Sequence, residues 1–362
     1  MLDAPLFSCR PGLAKLRKLV REWDRCNDEE EFPAWRIKLL GEAGYLSAFV
    51  ALQGEARVVD LFNALRLIGG ADLSLGRLYE GHVNAVQLIH AYGSHSQKAS
   101  LIADLAQGAL FAVWNTDYAD GTRLETRGRR WCLTGAKRFA SGAGHVDRAL
   151  ITARTPDGRR RLVLVDVAGH VDRADNRGWC VRGMRGSQSG LFDFDRMEID
   201  ADALIGEKGD YEREPRFSAG AWRFATVQLG AVEALLRHWR EHLKVSGKGN
   251  DPVQRARFGN CVVSTRSAAL WVSRAARVAE AGEPEAVPLV LMTRGIVEDA
   301  ALGVMEGASR SIGTAAFFAG SRVDRITRDL GLYLRQPVPD QARDRAVAAW
   351  LEGDCWGDDP WW

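Results

Sequence analysis

The feature that most limits what this chain can fold into is a hydrophobic period that changes twice. From Leu13 to about Gly108 the apolar residues recur at helical spacing, as in "FPAWRIKLLGEAGYLSAF" and "HVNAVQLIHAYGS", with breaks at glycines. Near Ala109 the period shortens. "ALFAVWNTD", "WCLTGAKRFASG", "DRALITART", "RRLVLVDV" and "SGLFDFDRMEID" are short, rich in β-formers and separated by turn signals such as Pro156-Asp157-Gly158. After "REPRF" the helical period returns, with Val272, Ala275, Ala276 and Ala279 on one face and Met292, Ile296, Ala300 and Val304 on another. The expectation is an α+β protein in the order α, β, α. It has an N-terminal helical domain over 1–108, a central antiparallel β-domain over 109–208, a C-terminal helical bundle over 209–340 and a tail over 341–362. The tail's tryptophan-rich end, "DCWGDDPWW", is expected to dock on the surface of its own fold.

Composition removes several functional classes. With 362 residues the chain has ample core without staples, and 49 basic against 47 acidic residues leave a net charge of +2. That balance provides no overall field to recruit nucleic acid or an anionic membrane. The six cysteines are scattered without a C-x-x-C pair, which fits reduced thiols in the cytoplasm and gives no zinc pattern. His238 and His242 stand four apart in "RHWREH" but have no visible third ligand, so no metal is expected. Neither an export signal nor a run of eighteen apolar residues is present, and a cytoplasmic protein without a membrane span is the expectation.

One stretch carries more than fold information. "GAKRFASGAGHVDRALITARTPDG", residues 135–158, places an aromatic and a hydroxyl two apart in an extended segment, directly before Gly142 and Gly144. Strand alternation would turn Phe139 and Ser141 to one face and Ala140 to the other. Taken alone, the segment equally describes a core aromatic followed by a turn serine. Three other phrases occur around it in order. They are "LRLIGGADLSLGRLYEGHVNAVQLIHAYGSHSQKASLIADLAQGALFAV", "RGMRGSQSGLFDFDRMEIDADALIGEKGD" and "ASRSIGTAAFFAGSRVDRITRDL". Together they resemble the acyl-CoA dehydrogenase flavoprotein family over most of the chain.

That resemblance implies a FAD site in the cleft between the β-domain and the C-terminal bundle. Phe139 would wall the flat ring and Ser141 would serve its N5 edge. In the family the preceding strand carries Thr-Glu-Pro and then Gly-Ser-Asp. Here Trp114 stands at the threonine place, Asn115 and Thr116 follow, and Thr122 is the nearest hydroxyl in the shorter "YADGT". Trp114 reads either as a neighbour of the flavin or as a packing residue. For the pyrophosphate the family uses an arginine from the loop after its first long C-terminal helix, reaching a partner's FAD. This chain has only Lys244 and Lys248 there, and a solvated lysine is the plainer reading of Lys248. Gln254 and Ser311-Ile312-Gly313-Thr314 fall where the family has its adenine-side glutamine and glycine turn. A homodimer or homotetramer is implied.

The family's catalytic acid is missing. A glutamate in a Tyr-Glu-Gly phrase shortly after Arg-Asp removes the substrate's α-proton. Here Arg328-Asp329 is followed by Gln336-Pro337, and the family's alternative acid falls near Gly220. Asp340 is the remaining candidate base nearby, although an acid at such a turn also reads as solvated or as a helix cap. Glu306 lies on an earlier helix. The expectation is an FAD-dependent oxidoreductase that dehydrogenates a carbonyl-activated, acyl-thioester-like substrate with an atypical base, and for which straight-chain acyl-CoA esters are poor. Two alternatives stand beside it. One is a flavin monooxygenase on the same fold, with an electron acceptor or flavin reductase as partner; the other is a non-catalytic flavin-binding homologue.

Overall fold

The computed structural model describes residues 11–23, 31–127 and 130–353; the Trp-rich end of the expected tail lies outside them. Among the described residues five helices come first: α1 (Leu13–Trp23), α2 (Ala34–Glu42), α3 (Glu55–Ala71), α4 (Leu73–Tyr92) and α5 (His95–Ala106). Their starts are chemically marked. Asp72 caps α4 by accepting from Leu75 N at 2.9 Å, and Ser94 and Gln97 form a reciprocal capping box on α5.

Nine strands follow: β1 (Phe111–Trp114), β2 (Asp117–Arg127), β3 (Arg130–Ala140), β4 (Arg148–Arg154), β5 (Arg160–Asp166), β6 (Ala174–Asp175), β7 (Gly190–Asp193), β8 (Met197–Ile199) and β9 (Leu204–Ile205). They form one sheet in the order β6-β7-β3-β2-β4-β5-β9, with β1 added to β4 and β8 to β3. The sheet is mixed where a purely antiparallel one was expected, because β1 runs parallel to β4 from Phe111↔Arg148 to Trp114↔Ile151. The β2–β3 hairpin and the turn after Ser141 lie between those two strands and return the chain in the same direction.

The C-terminal part is helical: α6 (Arg216–Ala219), α7 (Trp222–Val245), α8 (Pro252–Ala281), α9 (Ala286–Ile312), α10 (Arg322–Tyr333) and α11 (Pro339–Glu352). The segment set apart as a tail thus begins within α11, whose Ala342 and Ala346 pack with Leu291 of α9. The N- and C-terminal helices share one core with the sheet. Their closest approach is a crossing of α3 on α7, where Gly230 faces the Arg66 carbonyl and Gly69 faces Val227; a Cβ at either position would overlap backbone. Among the described residues no helix is long and apolar enough to cross a membrane.

Candidate functional site

The end of β3 does not alternate as its sequence suggests. The β3–β7 ladder shifts register between Arg138 and Ala140, and Phe139 sits in the bulge with φ +54°. Phe139 is therefore 48 % exposed while Ser141 is 6 % exposed, and the two do not share a face by simple alternation. The exposed ring has company. Trp179 meets it edge-on at 6.4 Å, and the Arg138 guanidinium lies 4.7 Å from its centroid. Gly142 and Gly144, both at positive φ, make the turn that follows.

Behind Ser141 runs a chain of hydroxyls that the sequence did not single out. Ser189 Oγ donates to Ser141 Oγ at 2.9 Å, Ser189 and Ser187 Oγ are 2.8 Å apart, and Ser187 Oγ donates to the Met184 carbonyl at 2.8 Å. Trp179 Nε1 donates to the same carbonyl at 3.1 Å. This segment is tied to the C-terminal bundle by Asp329, whose Oδ1 accepts from Met184 N at 2.6 Å. Burial raises the Asp329 carboxyl to about 6, with Asp72 adding to the rise and the Met184 N–H, Arg325 and Arg328 opposing it. Arg325 Nη2 joins Asp72 at 2.7 Å, and Arg36 Nη1 joins the same oxygen at 2.5 Å, so three parts of the fold meet in one buried ionic network.

The strand expected to read the flavin's polar edge is turned largely inward. Trp114 is 1 % exposed, donates from Nε1 to Ser141 O at 3.0 Å and packs on Phe192 at 5.3 Å. The packing reading of Trp114 describes these contacts. Asn115 is half-buried, with Oδ1 accepting from Thr152 Oγ1 at 2.7 Å and its carbonyl accepting from Lys137 Nζ at 3.1 Å. Thr116 is exposed, and its carbonyl accepts from Arg138 N. Thr122 is buried and spends its hydroxyl on Ala136 O at 3.2 Å. Lys137, with a wholly buried side chain, also bonds Asp117 at 2.5 Å and Thr152 at 3.2 Å. Burial lowers its ammonium from the usual lysine range against the pull of Asp117. Burial alone would raise Asp117, but the Lys137 hydrogen bond and charge hold it below the ordinary carboxylate range.

Lys248, expected at the pyrophosphate, and Gln254 and Ser311, expected on the adenine side, lie together. Lys248 Nζ donates to Ser311 O at 2.8 Å, and Ser311 Oγ donates to Gln254 Oε1 at 2.6 Å. Gly313, at φ +79°, and exposed Thr314 follow directly, and Phe317 and Phe318 beyond them are 63 % and 61 % exposed. Lys244 stays outside this cluster, 3.8 Å from Glu241. Burial and the Lys248 charge lower the neighbouring His242 below the ordinary histidine value. Among the described residues no group of three or more His, Cys, Asp or Glu is placed to hold a metal.

At the acid's expected place, the Gln336 and Pro337 carbonyls face Arg294 Nη2, at 3.4 and 2.5 Å. Asp340 is exposed in the first turn of α11, Glu306 pairs with Arg310 on the surface, and Gly220 closes α6. A buried acid that sequence reading missed is Glu80, 3 % exposed on α4, bonded by Arg77, by Asn84 Nδ2 at 2.6 Å and by Tyr333 Oη at 3.4 Å. Its only signal is an acid in an otherwise buried helical turn. A concavity of about 870 Å³ lies elsewhere, beside β6 and β7. It is open and lined by Asp172, Arg173, Asp175, Arg177, Asp193 and Arg196, several of them already paired, as a solvated rim is and an apolar small-molecule cleft is not.

Comparison with known proteins bears on this geometry. Residues 13–109 match the family model described as acyl-CoA dehydrogenase, N-terminal domain. Dibenzothiophene monooxygenase of Rhodococcus qingshengii is 24 % identical over 321 residues, 77 % of either chain. TdsC from Paenibacillus sp. A11-2, solved with FMN and indole, superposes with a TM-score of 0.82 at 17 % identity, over 94 % of this chain and 96 % of that one. Butyryl-CoA dehydrogenase from Megasphaera elsdenii gives 0.81 at 17 % identity, over 93 % and 97 %. The chain has the acyl-CoA dehydrogenase fold, and its residues 13–109 match that family's N-terminal domain.

Proposed function

We propose that this chain is a flavin-dependent monooxygenase acting on a small aromatic substrate, with reduced flavin delivered by a separate reductase. The observation that carries this reading is the pair Gln336-Pro337, whose carbonyls are engaged by Arg294 where an α-proton-abstracting carboxylate would have to stand. Dehydrogenation beside a carbonyl needs that base, whereas oxygenation does not. The likeness to dibenzothiophene monooxygenase and to TdsC supports the same choice. Acyl-thioester dehydrogenation, the first expectation from sequence, would need another acid. Glu80 is buried but already bonded to Arg77, Asn84 and Tyr333.

The residues at the β3 end fit a flavin. Phe139 is an aromatic face open to a ligand, braced by Trp179, and the Ser141 hydroxyl, two residues on, has its inner partner Ser189 already in place. Bound reduced flavin supplies the electrons with which dioxygen is activated. The chain's part is to wall the ring with Phe139 and Trp179, keep water from it, and hold a proton at Ser141 Oγ. FAD was the expected cofactor, but we assign the mononucleotide as sufficient: Lys248, Gln254 and Ser311 bond one another and leave the adenine side little to offer. A homo-oligomer remains part of the reading. Val263 and Leu270, two turns apart on α8, are 67 % and 73 % exposed, the kind of apolar face a second copy covers.

The test is anaerobic reduction followed by oxygen. Butyryl- and octanoyl-CoA should leave the bound flavin oxidised. With FMN, NADH, a flavin reductase and indole, label from ¹⁸O₂ should enter the organic product. Rapid bleaching by an acyl-CoA, with no label incorporated, would overturn the proposal.

A further inference from the structure

Ser187, Ser189 and Ser141 form a line of three hydroxyls that ends on the Met184 carbonyl, with successive separations of 2.8 and 2.9 Å between oxygens and 2.8 Å to the carbonyl. Each hydroxyl has one proton and two acceptor sites, so the line can be ordered two ways. In one order Ser187 donates to Ser189, Ser189 donates to Ser141, and the Ser141 proton points out of the chain. In the other, Ser141 donates to Ser189, Ser189 to Ser187, and Ser187 to the Met184 carbonyl. That carbonyl keeps two N–H donors in either order, Trp179 Nε1 and Ser187 N, both at 3.1 Å. The inner protons are paired in either state, and only the outward Ser141 proton of the first order takes its acceptor from a ligand.

The backbone holds this line in place from both ends. Gly142 N donates to Ser187 O at 2.8 Å, Trp114 Nε1 donates to Ser141 O at 3.0 Å, and Asp329 fixes Met184 N. Ser187 is 1 % exposed and Ser189 6 %, so water does not readily replace either partner.

We infer that Ser187 and Ser189 are positioning residues that make Ser141 a hydroxyl of reversible polarity, able to donate to a ligand atom in one state of that ligand and accept from it in another. The inference rests on the flavin reading above. A flavin's N5 is an acceptor when the ring is oxidised and carries a proton when it is reduced, so one fixed hydroxyl serves both states only if its inner side can reverse. Removing Ser189 breaks the line unequally. Ser141 donating outward then loses only an incoming bond, whereas Ser141 accepting from N5–H leaves its own buried proton unpaired, which is the costlier loss.

The experiment measures dissociation constants of the full-length protein for FMN and for dithionite-reduced FMN, anaerobically, in wild type, Ser189→Ala and Ser187→Ala. Both variants should weaken reduced FMN more than oxidised FMN, on the order of tenfold in the ratio of the two constants, or roughly 30 mV lower in the potential of the bound two-electron couple. A role in packing alone would weaken both ligands equally. Wild-type binding with an unchanged ratio in both variants would overturn the inference and leave the flavin reading standing. Wild type that binds neither form would overturn the flavin reading and the inference together.

Discussion

The two ends of the proposed cofactor site differ in how far their polar groups are already satisfied. At the C-terminal end, Lys248, Gln254 and Ser311 bond one another, and the neighbouring Thr314 is simply exposed. At the β3 end, an aromatic ring stands 48 % exposed, and Ser141, 6 % exposed, has a single side-chain partner in Ser189 Oγ. A group whose bonds are all made inside the fold must break one to bind anything, and each such exchange gives back most of what it gains. On the proposed reading, ligand binding falls chiefly to the β3 end and a mainly structural task to the other.

The two ends also rest on different supports, and the largest expected effect comes from there. The β3 end hangs on Asp329, whose carboxyl is raised from the ordinary aspartate value to about 6, first by burial. A carboxyl raised on folding binds more protons in the native state. Its stabilisation is complete below about pH 4 and is lost as pH rises through 6. Across that window the loss amounts to roughly 3 kcal/mol at about 1.4 kcal/mol per unit. His82 works in the opposite sense. It is wholly buried between Leu46 O, 2.7 Å from Nε2, and Phe111 N, 3.0 Å from Nδ1, and burial lowers it to about 4, so its contribution is lost as pH falls from 6.5. Wild type sums the two, and Asp329→Asn exposes the difference. Relative to wild type, the variant should become more stable between pH 4 and 6.5 by roughly 3 kcal/mol in urea unfolding. Parallel curves would show that Asp329 is not the strained support described.

How much of this was legible in the sequence follows from the range of the interactions. The α, β, α order and the caps at Asp72 and Ser94 are local, and the hydrophobic period and cap residues announce them. The bulge at Phe139 is not announced, because alternation assumes a regular ladder and a phenylalanine at positive φ has no composition signal. The Met184–Asp329 bond joins residues 145 apart, and the serine line joins Ser141 to a segment 48 residues later. Both phrases, "RGSQSG" and Arg328-Asp329, were visible as words, but only the fold brings them to the same place. Lys248, Gln254 and Ser311 were named from the family resemblance, Lys248 for the pyrophosphate and the other two for the adenine side; that they bond one another is a property of the folded side chains alone.

A smaller effect tests the ring wall. Phe139→Ala removes an exposed aromatic face without opening a core cavity, so thermal stability should change little. FMN affinity should fall by about 1 kcal/mol, or roughly fivefold, beyond the loss of contact area. Flavin fluorescence titration reads this directly. Unchanged affinity would mean that the ring serves another surface and would leave the β3 end without its distinguishing residue.

The smallest effect is expected at the opposite end. Lys248→Ala removes the bond to Ser311 O, an exposed lysine on a carbonyl, and an exposed contact of this kind contributes little to stability. If the C-terminal cluster is structural, FMN and FAD should each bind the variant within about twofold of wild type, since neither draws on Lys248. The other outcome is equally readable. FAD binding at least tenfold weaker than wild type, with FMN untouched, would show that Lys248 leaves Ser311 to meet a pyrophosphate, and the expected FAD cofactor would be restored. Sedimentation of the same samples would then discriminate further. A lysine on α7's closing loop that serves a neighbour's dinucleotide requires a second copy, so FAD dependence on Lys248 should appear only in the associated species.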